Sequence, residues 1–476
     1  MKVLITNPPG RCFIRARGDN WPSACETKNV LYTSFPYLLA TAAAQLEKSG
    51  HEVCLVDCVA EGIEQEEFIN TVPSFGPIAV VMMTSTPSYY YDVETRKKLD
   101  LDIPVIAVGV HASATPQRHL KDGFDYVIRG EFDYTLAELI AAINNKEKLK
   151  QVQGICFKDG DELHISEFSE TVKDLNELPF PAYHLLKMDL YSEPFAKGRN
   201  IMMLTTRGCP YQCDYCCVPY FYGGPIYRKR KPKRVVDEIE CLIDKFQIDE
   251  VYFDDSSITV DKNHLLGLAA EIKTRNLNIS WSCMGNAHIT DGVLEKLAES
   301  GCRGLKIGIE AGNTNILANI SKKITKSDIQ RVVKKCHKLG MKVHGTYMIG
   351  LPGETAKEAR MTIEFMLELN TDTVQIAVAT PFPGTKFHED ARKNSWLITD
   401  DWSLFDGNHA ILSYPEFSSS EIQSLFQEAS RRWERHVVFT KPATILHHLY
   451  GVYKRKGLKG IAHGINYGIN IILRKS

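Results

Sequence analysis

Short, continuous apolar runs alternate with stretches of helical period along the first ~165 residues. The runs Val3–Thr6, Glu52–Asp57, Ile78–Met83, Val105–Val108 and Tyr126–Arg129 predict strands. The intervening stretches Tyr37–Ser49, Ser88–Lys98, Pro116–Asp122 and Thr135–Asn144 predict helices. Runs that are apolar throughout, without alternation, imply strands covered on both faces, as in a doubly wound parallel sheet. Gly154–Ser166 alternates around Asp159-Gly160 and predicts a hairpin. The prolines of Leu178-Pro179-Phe180-Pro181 fix an extended connector. The alternation then restarts. Strands are expected at Ile201–Thr205, Val251–Asp254, Asn278–Ser282, Leu305–Ile309, Lys342–Met348 and Val374–Ala379. Helices are expected at Val235–Lys245, His264–Arg275, Gly292–Ser300, Lys326–Leu339 and Ala356–Leu369. Six such units suggest a partial parallel barrel with its chemistry at the strand carboxyl ends. Beyond Asp400, Trp402, Phe405 and Tyr414 stand in a loop-rich stretch, followed by helical patterns at Ser420–Phe439 and Ala443–Tyr453. The fold class is therefore α/β, divided into a first domain 1–165, a linker 166–195, a partial barrel 196–395 and a helical region 396–476.

Composition changes this picture little. The 476 residues carry a formal net charge of −1, so no nucleic-acid partner is expected. Apolar content of 44% is ordinary for a globular chain. Thirteen cysteines are scattered and odd in number, and the opening Met1-Lys2-Val3-Leu4-Ile5 reads as a strand rather than a leader. No stretch is long enough to span a bilayer, and a reducing cytoplasm is the expected setting. Lys441 to Ser476 holds seven Lys or Arg and no Asp or Glu, interleaved with apolar residues. Such a tail suits either an anionic membrane surface or a helical lid with solvated charges.

The chemistry concentrates in Cys209-Pro210-Tyr211-Gln212-Cys213-Asp214-Tyr215-Cys216, directly after the first barrel strand. Three thiolates at CxxxCxxC spacing can hold three irons of a 4Fe–4S cubane and leave the fourth open to a chelating small molecule. Structural zinc would want a second CxxC pair, and none is present. The other barrel strands end in Asp254-Asp255-Ser256, Met284-Gly285-Asn286, Glu310-Ala311-Gly312, Gly350-Leu351-Pro352-Gly353 and Pro381-Phe382-Pro383-Gly384. Gly350 and Gly353 permit close backbone approach to a flat ligand, and Glu310 can accept from hydroxyls or an ammonium. In the first domain the strand ends are Asn7-Pro8-Pro9, Thr84-Ser85-Thr86, Gly109-Val110-His111 and Gly130-Glu131. No GxGxxG follows the first strand, so a dinucleotide is not expected.

The three-cysteine loop, with Tyr215 before its last cysteine, resembles the signature of the radical S-adenosylmethionine (radical SAM) superfamily. The resemblance implies that Cys209, Cys213 and Cys216 ligate a 4Fe–4S cluster and that SAM chelates the open iron. It also implies SAM contacts from Tyr215, Asp255, Ser256, Glu310, Gly350 and Gly353. The first half is similar to the cobalamin-binding domain fused to one large class of these enzymes. Asn7-Pro8-Pro9, Gly109-Val110-His111 with Pro116, and Asp125 to Glu131 carry that likeness. It implies cobalamin contacts from Asn7, Pro8, Thr84, Ser85, Gly109, Val110, His111, Gly130 and Glu131. Three departures stand out: Val110 where the family has a second glycine, no DxHxxG motif, and Asn286-Ala287-His288 where relatives carry an arginine.

The activity so implied is reductive cleavage of SAM, radical formation at an unactivated carbon, and methyl transfer through cobalamin. A flavodoxin- or ferredoxin-type electron donor is implied with it. Oxidative cyclisation or ring rearrangement, tRNA modification and a non-catalytic corrinoid-binding role are the rival readings. Arg15-Ala16-Arg17-Gly18-Asp19-Asn20-Trp21-Pro22 is similar to a segment of the lipid-modifying branch. It directs the expectation toward a lipid or isoprenoid substrate, reached from the cytoplasm through the basic tail. No catalytic acid or base is assigned, and Cys283 and Cys302 read as core residues.

Overall fold

The computed structural model describes residues 1–10, 33–99, 102–193 and 198–441, with the short strands Phe13–Ile14 and Ser23–Ala24. The Arg15–Pro22 segment, the Ala443–Tyr453 helix and the tail beyond Lys441 lie outside the described residues.

The first sheet holds β1 (Lys2–Asn7), β2 (Glu52–Asp57), β3 (Ala79–Met83), β4 (Val105–Val108), β5 (Tyr126–Ile128), β6 (Ile155–Asp159) and β7 (Glu162–Ile165). Its order is β2-β1-β3-β4-β5-β6-β7. The first five strands are parallel, and the expected hairpin is not separate but extends the sheet antiparallel from β5. Chain order reverses at β1, between β2 and β3, which makes the adjoining carboxyl ends the crevice of this topology.

Successive residues serve opposite faces. Val3 and Ile5 pack with α1 (Tyr37–Lys48), whereas Leu4 packs with α2 (Gln65–Phe75) and α3 (Tyr89–Lys98). Helix α2 escapes a sequence reading because only Gln65, Phe68 and Val72 are buried and Pro73 interrupts its pattern. Further on, α4 (Val110–Ala114), α5 (Pro116–Lys121) and α6 (Asp133–Ala142) complete the layers.

The second sheet runs in chain order, all parallel: β8 (Asn200–Met203), β9 (Glu250–Phe253), β10 (Ser280–Gly285), β11 (Cys302–Glu310), β12 (Lys342–Ile349) and β13 (Thr373–Val378). It curls into an open partial barrel. Strand β10 lies later in the chain than its apolar run suggests because it follows β11, pairing Met284 with Lys306 and Gly285 with Ile307. Val251, Phe253, Trp281, Cys283, Leu305 and Val343 are fully buried beneath the outer helices. Those helices are α7 (Pro232–Phe246), α8 (Lys262–Thr274), α9 (Asp291–Glu299), α10 (Lys326–Lys338) and α11 (Ala356–Leu369). The intervening Tyr252, Ser282, Met284, Lys306, His344 and Thr346 line the inside of the curl and are only half-buried. Helix α12 (Lys386–Lys393) follows β13, and α13 (Ser419–Thr440) packs on α11, β12 and β13.

Candidate active site at the sheet ends

The cysteine loop leaves the mouth of the barrel after the short strand Thr206–Gly208, which pairs with Tyr227–Lys229. Cys209 is buried, and Cys213 and Cys216 are half-buried. The Cys216 amide donates to the Cys213 carbonyl at 2.9 Å, a turn that brings these two side chains together. Asp214 anchors the loop: its amide donates to Ile320 O at 3.3 Å, its carbonyl accepts from the Phe387 amide at 2.9 Å, and its carboxylate accepts from Ser321 Oγ at 2.9 Å. Burial pushes the thiols of Cys213 and Cys216 up. At Cys216 the sulphurs of Cys217, Cys213 and Cys209 push it further. Clustered thiols that resist ionisation alone are a site suited to a cationic iron core, which holds them as thiolates. Among the described residues no three His, Cys, Asp or Glu side chains converge on a single metal ion.

Tyr215 and Glu310 do come together. The phenol donates to Glu310 Oε1 at 3.0 Å, and Lys322 Nζ donates to the same oxygen at 2.8 Å. Glu310 is 4% exposed and holds a φ of +65°, a left-handed backbone at the end of β11. Lys322 is the residue that the sequence concealed. It follows the short helix Thr314–Asn319, belongs to no motif, and its charge reaches both Cys213 and Cys216.

Asp255 turns inward. Its Oδ1 accepts from the amide and hydroxyl of both Thr205 and Thr206, with the Thr205 amide at 2.9 Å. Its buried Oδ2 has no partner among the described residues, and burial pushes the carboxyl up to about 6. Ser256 follows it, half-buried at the mouth.

The glycines of the fifth-strand loop are closely packed against their own chain. Gly350 and Gly353 have φ of +93° and +78°. A Cβ on Gly350 would lie 2.9 Å from Ile422 Cγ2, and one on Gly353 2.5 Å from Asn319 Nδ2. At both positions the absence of a side chain makes room for the chain itself. Glu354 closes this loop, its Oε2 accepting from the Gly350 amide at 2.6 Å and the Leu351 amide at 3.2 Å. Its buried Oε1 has no partner, and burial pushes the acid up to about 8. Asn286, standing where relatives carry arginine, is likewise engaged by Thr259 and Ser257.

The first sheet presents a different edge. Asn7 donates to Asp57 Oδ1 at 2.8 Å, and Pro8 is buried beside it. Thr84 Oγ1 lies 2.9 Å from His119 Nε2, and Ser85 and Ser88 join through their hydroxyls at 2.6 Å. His111 is buried. Its Nδ1 lies 3.0 Å from Thr86 Oγ1 and its Nε2 3.5 Å from Thr115 Oγ1, with the Trp402 ring edge-on at 4.7 Å. Burial drives both imidazoles toward neutrality, His119 down to about 4. Gly109 has a φ of +104°, which excludes a side chain there, and Val110 is buried next to it. This edge fits a broad ring held by shape, backbone and small side chains, without an imidazole free to bind its metal.

Gly130 and Glu131 lie where the first sheet meets the chain around the cysteine loop. A Cβ on Gly130 would sit 3.1 Å from Phe221 O, on the helix following the cysteine loop. Glu131 Oε1 accepts from Arg207 at 2.8 Å, and its Oε2 from Arg228 and from the Val172 amide at 2.8 Å. Arg207 also forks onto Asp133 at 2.6 and 3.0 Å. These two cations and two anions, all nearly buried, clasp the first sheet to the chain two residues before Cys209. Three of the roughly four acceptor sites of the Glu131 carboxylate are taken by the protein itself.

Comparison with known proteins agrees with this geometry. The family model of the radical SAM superfamily matches residues 203–366, and that of the B12 binding domain matches residues 27–140. A protein of Pyrococcus horikoshii named an uncharacterized methyltransferase is 29% identical over 439 residues, covering 90% of this chain and 91% of its own. Cytidylyl-2-hydroxyethylphosphonate methyltransferase of Streptomyces wedmorensis is 29% identical over 460 residues, covering 84% and 83%. Among solved structures, OxsB with aqua-cobalamin and S-adenosylmethionine bound aligns at a TM-score of 0.74 and 15% identity, over 98% of this chain and 70% of that one. TsrM of Kitasatospora setae, with cobalamin and a [4Fe-4S] cluster bound, aligns at 0.64 and 19% identity, over 89% and 81%. At such identities these two likenesses speak for the fold.

Proposed function

We propose that this chain, which belongs to the cobalamin-dependent radical SAM enzymes and joins a B12-binding domain to a radical SAM domain, transfers a methyl group to an unactivated carbon of a small-molecule substrate. The observation that carries the reading is the cysteine loop at the barrel mouth, linked through Tyr215 to Glu310 and clasped through Arg207 to the edge of the first sheet. In this reading the chain divides as 1–165, 166–195, 196–395 and 396–476. Cys209, Cys213 and Cys216 would hold the cluster, with Tyr215, Asp255, Ser256 and Glu310 on the SAM side. Asn7, Pro8, Thr84, Ser85, Gly109, Val110 and His111 would lie under cobalamin.

When bound, the cluster and SAM supply one-electron cleavage to a deoxyadenosyl radical, and cobalamin supplies methyl transfer. The chain's own residues bind, orient and exclude water. Lys322 pairs with Glu310 and, through the shared carboxylate oxygen, fixes Tyr215 over the loop. Asp255 ties Thr205 and Thr206 beneath Cys209. The Arg207 clasp sets the spacing between the two cofactor edges. An external one-electron donor completes the system.

The relatives named methyltransferases favour methylation. A second reading, ring formation without net methylation, draws on a 24% likeness over 373 residues to the anaerobic magnesium-protoporphyrin IX monomethyl ester cyclase of Cereibacter sphaeroides, of which the chain covers 60%. No described helix is long and apolar enough to cross a membrane. A cytoplasmic setting is part of the proposal, and membrane contact through the tail stays an expectation from the sequence.

The test is anaerobic purification and reconstitution with hydroxocobalamin, followed by assay of iron, sulfide and cobalt. About four irons and one cobalt per chain are expected. Iron without cobalt would overturn the methyl-transfer reading, and neither would overturn the enzyme reading altogether.

A further inference from the structure

The inner wall of the curled sheet is polar. Across β10, β11, β12 and β13, cross-strand pairing places Met284, Lys306, His344 and Thr373 in one row. Ser282 lies below this row on β10, and Thr346 above it on β12. His344 Nδ1 lies 2.9 Å from Thr373 Oγ1, and burial together with the Lys306 charge keeps this imidazole neutral. Lys306 itself has no ion pair and no hydrogen bond among the described residues, although it is half-buried inside the wall. Glu193, just before β8, lies within reach of the charges of Asp254 and Lys306; Ser34 bonds its side chain, and its buried Oε1 has no partner among the described residues. A half-buried cation without a hydrogen bond and a buried acid oxygen without one are costly unless an occupant supplies what they lack.

The depth of the row bears on the occupant. Lys306 lies four residues before Glu310, roughly 13 Å along the strand at the usual rise. A molecule seated on Lys306 would extend from there to the mouth, where Tyr215 and the cysteine loop stand.

We propose that this wall binds a water-soluble substrate carrying an oxyanion group, its charge met by Lys306 and its hydroxyl or amide groups by Glu193, Ser282 and Thr346. This rests on the function proposed above and reverses the lipid expectation. An isoprenoid would strip water from Lys306 and Glu193 and return no hydrogen bond.

The experiment titrates the reconstituted holoenzyme with methylphosphonate by calorimetry, and separately with farnesol in detergent micelles. Saturable methylphosphonate binding is expected, weakened about 10-fold or more by Lys306→Met and retained by Lys306→Arg, the loss usual for a hydrogen-bonded charge. Farnesol should neither bind saturably nor displace methylphosphonate. Equal methylphosphonate affinity in the parent and Lys306→Met, or saturable farnesol binding, overturns the proposal. Should Lys306→Met fail to fold, the competition on the parent protein still decides between the two ligands. Iron and cobalt, assayed on the same parent sample, report on the function independently. A loaded protein that ignores methylphosphonate refutes only the substrate class.

Discussion

The two sheets end in edges that handle polarity in opposite ways. On the first, hydroxyls, imidazoles and carboxylates satisfy one another: Thr84 with His119, Thr86 with His111, Asn7 with Asp57. On the second, among the described residues, buried acids keep an oxygen in reserve: Oδ2 of Asp255 and Oε1 of Glu354. A self-satisfied edge can receive a large ring by shape and backbone alone. An edge with unspent carboxyl oxygens asks for polar groups from its ligand, as an ammonium or a ribose hydroxyl would offer. Parallel sheets thus place both sites at strand carboxyl ends, while side-chain accounting separates the kinds of recognition.

The comparison breaks most completely at the cysteine loop. Cys213→Ala is expected to leave the protein without its cluster, seen as loss of the iron and sulfide assayed after reconstitution. Wild-type iron content in this variant would refute the ligand assignment. Next in size is the clasp joining the edges. Arg207→Met leaves Glu131 and Asp133 buried with only Arg228 nearby, and should cost about 3–5 kcal/mol in urea unfolding. Gly350→Ala should cost about 1–3 kcal/mol, since a side chain at φ +93° is strained and meets Ile422. At the first edge, Thr84→Val strands a buried His119 nitrogen, for about 1–3 kcal/mol, with iron content unchanged.

The finest test is pH. Glu354 is raised in the folded state from 4.5 to about 8, so the folded chain binds its proton more tightly. Its contribution is full below pH 4.5 and is lost as pH rises through 8. His119 is lowered from 6.5 to about 4, so its contribution is full above pH 6.5 and is lost as pH falls through 4. Each slope is at most about 1.4 kcal/mol per pH unit. Glu354→Gln should flatten the alkaline decline, and His119→Gln the acid one. Identical pH profiles for parent and variants would refute both assignments.

Much of this was legible in the sequence where the signal is local. Helix α11 begins and ends at the expected residues because Thr355 and Glu358 form a capping box and Asn370 takes the left-handed position after it. The cysteine spacing likewise announces its chemistry within eight residues. What stayed hidden depends on distant partners. Glu131 gains two guanidinium partners that no local pattern announces, Arg207 and Arg228 from the short strand pair beside the cysteine loop. Lys322 carries no pattern at all, and only the fold delivers it to Glu310. Gly350 and Gly353 were rightly singled out for a special backbone, but the groups that approach them, Ile422 and Asn319, come from elsewhere in the same chain.

The clasp also limits how such a protein can be taken apart. A fragment beginning near β8 would inherit Arg207 and Arg228 with no counter-charge, and the complementary fragment would inherit two buried carboxylates. Neither half would be a free-standing module that could be traded between genes as it is. Domain shuffling at this junction would succeed only when the acidic pair and the basic pair travel together, so the seam between the two cofactor sites is a unit of inheritance in its own right.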